Sequence, residues 1–302
     1  MQYRFLKFMS WVLCLLSHST LLWFGKILGS LYYHIAAKQR NRAIEQMMKS
    51  LQVSRDKASE ICRDSFINIG RIFLEIMYMP NLNRQNFTKY MEIEHIDRFK
   101  NALAEGNGVV ILTAHIGNWE WLSAALTFSD IPLTAIIKRQ PNDQHTVLLN
   151  EYREMVGVEV FSRGTTELIG AAKALKKGKS LGFLADQDAG PSGAFIDFLG
   201  KPASTPLGPA VFAKRFKSPV VPCFIVRKPD GKHKVLIHEP LYYQDNGNEE
   251  QDLYDFTVKL TRIIENTIKE YPTQWLWFQK RWNTTPEMKK QKHTTKEQVE
   301  HE

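Results

Sequence analysis

The chain reads as an α/β protein: a mostly parallel central sheet flanked by helices, preceded by an N-terminal membrane-associated helical segment. Three observations predict this. From Tyr90 onward, short β-branched apolar runs alternate with helical patterns, the rhythm of a parallel sheet with crossover helices. One of those runs, Val109-Val110-Ile111-Leu112, is apolar on both faces, as a strand buried inside such a sheet must be. Residues 8–25 hold no Asp, Glu, Lys or Arg, over a length close to the roughly 20 residues that span a bilayer.

Taken in order, the apolar segment is flanked by Arg4 and Lys7 before it and by Lys26, Lys38, Arg40 and Arg42 after it. Basic flanks favour an anionic cytoplasmic leaflet. Ser17, His18, Ser19 and Thr20 interrupt the run, so an interfacial helix or hairpin competes with a true span. No small-residue cleavage site follows, which argues against a removable signal peptide. Residues 43–51 are amphipathic, and Ser54 is placed to cap the next helix. In that helix Ile69, Ile72, Phe73 and Ile76 form an i, i+3, i+4, i+7 stripe expected to face the core, and Pro80-Asn81 ends it.

The strand–helix rhythm then predicts strands at 90–94, 109–112, 133–138, 158–161, 181–185 and 195–199. Between them come helices at 97–104, 119–128, a segment ending at 155, 166–176 and 207–215. Residues 220–226 and 234–238, joined by Pro229-Asp230-Gly231, read as a hairpin, and 253–268 as the last long helix. The organisation is therefore 1–38 as an anchor or interfacial helix, 39–285 as one α/β domain, and 286–302 as a polar, disordered tail.

Composition narrows the function. With 302 residues, 43% of them hydrophobic, the chain can bury one large core. Its 40 basic residues are dispersed among 32 acidic ones with no recognisable nucleic-acid motif, so the net charge of +8 does not point to DNA or RNA. Cys14, Cys62 and Cys223 are scattered and odd in number, which implies neither a disulfide framework nor a metal site.

The chemistry concentrates at Thr113-Ala114-His115-Ile116-Gly117-Asn118-Trp119-Glu120. His115 falls where a strand's carboxyl end meets a helix, with Asn118 as the helix cap and Glu120 in its first turn. On one unbroken helix, positions five apart diverge by about 140°. A Gly-Asn turn between them lets His115 fold back towards Glu120, whose carboxylate would orient the ring and stabilise the imidazolium of a general base. Arg139 and Arg163 follow the next two strands and should share the carboxyl edge with His115, as clamps for phosphate or a carrier's phosphopantetheine. Asp186, in Leu184-Ala185-Asp186-Gln187-Asp188-Ala189-Gly190, arrives at the same edge, to orient a cationic side chain, bind substrate hydroxyls or cap the following turn. The segment Trp275-Leu276-Trp277-Phe278-Gln279-Lys280-Arg281-Trp282 combines rings with cations, as membrane-interface belts do, although Trp275 and Trp277 also suit core packing.

These blocks resemble, in order, those of the bacterial lipid A biosynthesis acyltransferases of lauroyl/myristoyl type, within the wider glycerolipid and lysophospholipid acyltransferase superfamily. Ala114 to Glu120 is similar to the family's His-(four residues)-Asp/Glu motif. Asp186-Gln187-Asp188 with Phe198-Leu199-Gly200-Lys201-Pro202-Ala203-Ser204-Thr205-Pro206 resembles a second block, and Tyr271-Pro272 onward a third. The family's second-strand Arg-Pro pair is here Arg139-Gln140-Pro141, so Arg139 is the better match and Lys138 its competitor.

The resemblance implies an acyl thioester donor of the acyl-carrier-protein type, or acyl-CoA, an anionic lipid A precursor or related glycolipid as acceptor, and the cytoplasmic face of the inner membrane. No cofactor is implied, since the thioester is a co-substrate. His115 is the expected base and Glu120 its orienter. Asn118, Arg139, Arg163 and Asp186 are the expected substrate-binding residues, with amides near Asn118 or Arg139 as oxyanion candidates. No Gly-x-Ser-x-Gly elbow appears, so no acyl-enzyme is required. An esterase, with water replacing the lipid hydroxyl, and a non-catalytic membrane-surface protein are the competing functions.

Overall fold

The protein is described from a computed structural model covering residues 2–137, 144–162 and 165–288. Its elements are α1 (Gln2–Cys14), α2 (His18–Ile35), α3 (Ala37–Leu51), α4 (Arg55–Met77), β1 (Met91–Glu94), α5 (Ile96–Ala104), β2 (Val109–Thr113), α6 (Trp119–Phe128), β3 (Leu133–Ile137), α7 (Gln144–Met155), β4 (Glu159–Ser162), α8 (Thr165–Lys176), β5 (Ser180–Leu184), β6 (Ala194–Phe198), β7 (Lys201–Thr205), α9 (Gly208–Phe216), β8 (Val220–Arg227), β9 (His233–Ile237) and α10 (Glu249–Glu270).

Seven strands form one sheet in the order β1-β9-β8-β2-β5-β3-β4. Every pairing is parallel except the β8–β9 hairpin, as the alternating rhythm predicts. β2 lies at the centre and all five of its residues are buried, which accounts for its apolar character on both faces. One core packs the face bearing Val110 and Leu112, and a second packs the face bearing Val109 and Ile111.

The expected strand at 195–199 does not join this sheet. It is β6, which pairs antiparallel with β7 in a separate two-stranded ribbon. β7 reads Lys-Pro-Ala-Ser-Thr, with Pro202 and two small polar residues, so its composition hides it as a strand. The third strand ends at Ile137, and Lys138 lies outside the described residues, as does most of the expected polar tail, from 289 onward.

The N-terminal apolar run is not one helix. It breaks after Cys14, and Ser17 caps α2 by accepting from the Thr20 backbone N–H at 3.2 Å. Among the described residues no helix is long and apolar enough to cross a membrane, which corrects the spanning alternative. The polar Ser-His-Ser-Thr cluster is the physical reason, because those groups start a helix instead of continuing one.

α2 packs closely on α4, where small residues let the backbones meet. A Cβ on Gly29 would lie 2.3 Å from the Phe66 carbonyl oxygen, and one on Gly70 2.3 Å from that of Gly25. The stripe read on α4 is only partly core: Ile72 is buried, whereas Phe73 is 48% exposed. The buried face instead carries polar Ser65, Asn68 and Glu75, which hydropathy spacing overlooks.

Candidate active site

β2 and β5 run side by side with Thr113 opposite Leu184. Continuing that register two residues past each strand brings His115 level with Asp186 at the carboxyl edge of the sheet. Asp186 is fully buried; its Oδ1 accepts from His115 Nδ1 at 2.8 Å and its Oδ2 from the His115 backbone N–H at 3.0 Å. Trp275 Nε1 and Gln279 Nε2 also donate to Oδ2, at 2.8 and 3.1 Å.

Burial alone would push the Asp186 carboxyl up, but the His115 charge, its hydrogen bond and those from Trp275 and Gln279 hold it down at about 2. Burial likewise pushes the His115 imidazole towards neutrality. The Asp186 charge and hydrogen bond, with the Glu120 charge, more than offset this and raise its pKa above the ordinary value. With Nδ1 committed to Asp186, Nε2 is the basic atom left for a substrate.

The turn that presents His115 is clamped from the C-terminal segment. The Leu276 N–H donates to the His115 carbonyl at 3.1 Å, the Gly117 N–H donates to the Gln274 carbonyl at 2.9 Å, and Ile116 bridges Trp275. Gly117 has φ +56°, and a Cβ there would stand 1.9 Å from the Ile225 carbonyl oxygen, so only glycine fits.

Asn118 caps α6 by accepting from the Trp121 N–H at 3.1 Å, and its Nδ2 donates to Glu75 Oε2 at 3.0 Å. The side chain is fully buried and committed to architecture, which takes it out of reach of a substrate. Glu75 is itself a buried hub: Arg227 Nη1 and Nη2 reach it at 2.7 and 2.6 Å, His233 Nε2 at 3.1 Å and His18 Nε2 at 3.0 Å. Burial opposes its charge, yet Arg227 and His233 hold its carboxyl well below the usual range.

Glu120 does not hydrogen-bond His115. Its carboxylate is taken by Arg153, whose Nε and Nη2 reach it at 2.8 and 2.5 Å in a two-point pair only 4% and 14% exposed. The expected orienting contact to the imidazole therefore belongs to Asp186. Glu120 lies in the first turn of α6 and is bonded to Arg153 of α7. Asp186 is fully buried, with the His115 ring as one of its partners. Arg139 and Arg163 both lie outside the described residues.

His115, Glu120 and Arg153 open onto a cavity of about 760 Å³. Part of its wall is apolar, with Ile111, Leu122, Leu126, Leu133 and Val158, and Thr113, Ser123, Gln187 and Asp188 line it as well. Ile111 sits midway along β2 and lines the cavity, so this wall runs back along the strand whose carboxyl end leads to His115.

Trp275 and Trp277 are fully buried, so this pair belongs to the core rather than to an interface belt. Arg281 is buried as well; it donates to the Ser204 carbonyl at 2.5 Å and to Thr205 Oγ1 at 2.7 Å, and burial lowers its pKa to about 10. The residues that sequence reasoning passed over are Arg153, Gln187, Gln279 and Glu75. Gln187 and Gln279 each lay within a quoted block, whereas Arg153 and Glu75 had no local signal.

The family model described as bacterial lipid A biosynthesis acyltransferase matches residues 3–284, nearly the whole chain. The chain belongs to that family.

Individual relatives are distant. A lipid A biosynthesis lauroyltransferase of Escherichia coli (strain K12) is 26% identical over 243 residues, covering 78% of this chain and 76% of that protein. A lipid A biosynthesis palmitoleoyltransferase of the same organism is 23% identical over 239 residues, covering 78% and 75%. A phosphatidylinositol mannoside acyltransferase of Mycolicibacterium smegmatis (strain ATCC 700084 / mc(2)155) is 24% identical over 253 residues, covering 80% and 81%. As a member of this lipid A acyltransferase family the chain is an acyltransferase, and the family supports transfer to a lipid acceptor.

Proposed function

We propose that this acyltransferase moves a fatty acyl group from a thioester to a hydroxyl of a glycolipid, with His115 as the general base. The observation that carries the reading is the buried His115–Asp186 pair at the mouth of an apolar cavity, Nδ1 held at 2.8 Å and Nε2 facing the space. His115 Nε2 takes the proton of the acceptor hydroxyl as its oxygen attacks the thioester carbonyl. The C–S bond then breaks, and the departing thiolate recovers the proton from the imidazolium. The Asp186 charge stabilises that imidazolium, and Glu120, fixed by Arg153, adds a second negative charge nearby.

The donor is an acyl-carrier-protein thioester, with acyl-CoA as the alternative, and a net charge of +8 suits an acidic carrier and an anionic lipid. Relatives named for lipid A and for phosphatidylinositol mannoside support a glycolipid acceptor. The exposed apolar side chains of α1 and α2, among them Phe8, Trp11, Trp23, Phe24 and Leu31, support membrane attachment, and the flanking Arg4, Lys7 and Lys26 favour the cytoplasmic face.

The test uses the purified chain with a lauroyl thioester of carrier protein or of CoA, offered to a lipid A precursor or a phosphatidylinositol mannoside. Acylated lipid is the expected product, and it disappears in His115→Ala. An active His115→Ala protein, or free fatty acid as the sole product, overturns the reading.

A further inference from the structure

Gln187 follows Asp186 directly and lines the same cavity as His115. Its Nε2 stands 3.5 Å from His115 Nε2, the ring atom left free by Asp186. Among the described residues this is the one hydrogen-bonding contact of its side chain, which is otherwise exposed.

The backbone beneath it is fixed on both sides. Asp186 is held by Trp275 and Gln279, and Asp188 by the hydroxyl of Thr284 at 2.8 Å. The Gln187 carbonyl itself accepts from Arg281 Nη1 at 3.4 Å. A pinned backbone therefore presents an uncommitted carboxamide beside the basic nitrogen.

Resting on the proposed role of His115, we propose that Gln187 binds the acceptor hydroxyl, donating from Nε2 to the oxygen whose proton His115 removes. The two nitrogens are 3.5 Å apart, close enough for one oxygen between them to hydrogen-bond both. The hydroxyl donates to the imidazole and accepts from the carboxamide, so its lone pair is aimed while its proton leaves. As the O–H bond gives way, the N–H of Gln187 faces a growing negative charge and stabilises it. A carboxamide suits this task because it donates without a charge and leaves the ring's basicity to Asp186. Gln187 Nε2 stands 3.5 Å from the base, and the incoming hydroxyl takes the place of that contact. Water is smaller and makes fewer contacts elsewhere in the cavity, so anchoring the lipid oxygen also favours transfer over hydrolysis.

The test uses purified full-length protein with a lauroyl thioester as donor and a lipid A precursor or a phosphatidylinositol mannoside as acceptor. Gln187→Ala and Gln187→Met should raise the acceptor KM or lower acceptor kcat/KM by about tenfold, the worth of one hydrogen bond to a polar substrate. The donor KM should stay within about twofold, and the ratio of free fatty acid to ester should rise. Gln187→Glu cannot donate, and its charge should raise the His115 pKa, shifting the acid limb of kcat/KM to higher pH. A merely structural role would move neither the acceptor–donor split nor that limb. Acceptor kinetics and product ratio within twofold of the parent in both Ala and Met variants, with His115→Ala inactive, overturn the proposal. An active His115→Ala protein overturns instead the reading on which it rests.

Discussion

Asp186 grips His115 at two points, accepting from the ring Nδ1 at 2.8 Å through Oδ1 and from the backbone N–H at 3.0 Å through Oδ2. One carboxylate thus fixes both the place of the residue and the tautomer of its ring. Asp186→Asn removes the charge that does most to raise the His115 pKa and leaves burial to lower it. The base is active when neutral, so kcat/KM of the parent should rise with pH through a pKa above the ordinary 6.5. In Asp186→Asn that limb should move to lower pH while plateau turnover falls by roughly 10²–10⁴-fold. Stability should carry opposite signs for the two groups. The raised His115 pKa contributes stability below its unfolded value, lost as pH rises through the folded one. Asp186, at about 2, contributes above its unfolded value, and that is lost as pH falls towards 2. Melting temperature and initial rate measured across pH check both.

Arg153 and Glu120 should behave as one unit, because each is the other's two-point partner in a nearly dry site. Glu120→Gln and Arg153→Met are each expected to lower turnover by roughly 10²-fold, near the low end for groups that assist a base without touching it. The double variant should be little worse than the worse single one, since both remove the same arrangement. Rates of the three proteins under saturating donor decide this; additive losses would separate the two roles.

The fold was legible because apolar runs and caps are local: the β2 strand, the Asn118 cap and the Ser54 cap could each be read in a few residues. The His115 turn was legible for the same reason. Its partner was not, since Asp186 lies 71 positions away and meets the ring only through the β2–β5 register. Spacing within one segment instead favoured Glu120, which points to α7 and Arg153. The aromatic–basic segment misled in a related way. Composition suited an interface, but Trp275 spends its N–H on Asp186 and Trp277 spends its own on the Pro272 carbonyl at 2.6 Å, as buried indoles must.

Membrane attachment should follow the outer faces of α1 and α2 rather than the total charge. Phe8, Trp11, Trp23 and Phe24 are 44–60% exposed on helices whose other faces are packed. Vesicle co-sedimentation of the full-length protein should survive 1 M salt, at which the screening length is about 3 Å. A Phe8→Glu, Trp23→Glu double variant should release it at both low and high salt while its melting temperature stays near the parent's. Release of the parent protein by salt alone would assign attachment to the basic residues.

Glu75 links three parts of the chain that sequence keeps apart. His18 opens α2, Asn118 caps α6, and Arg227 and His233 belong to the β8–β9 hairpin. Burying these charges is costly, and the hub is tolerable only while complete: Glu75 Oε1 and Oε2 are both matched to Arg227. Glu75→Gln leaves the Arg227 guanidinium buried without its counter-charge, and a loss of about 3–5 kcal/mol of unfolding free energy is expected. Because the folded carboxyl is held far below its unfolded value of about 4.3, the parent's stability from this group is present above that value. It fades as pH falls towards the folded pKa, and the Gln variant should lack that acid-side slope. Arg227→Met in the Glu75→Gln background should recover part of the loss, since a neutral pair costs less to bury than a lone cation. Denaturant titrations of the three proteins at pH 7 and pH 4 measure each step. A Glu75→Gln protein as stable as the parent at pH 7 would mean that the hub's ion pair is not what holds α4 to the hairpin.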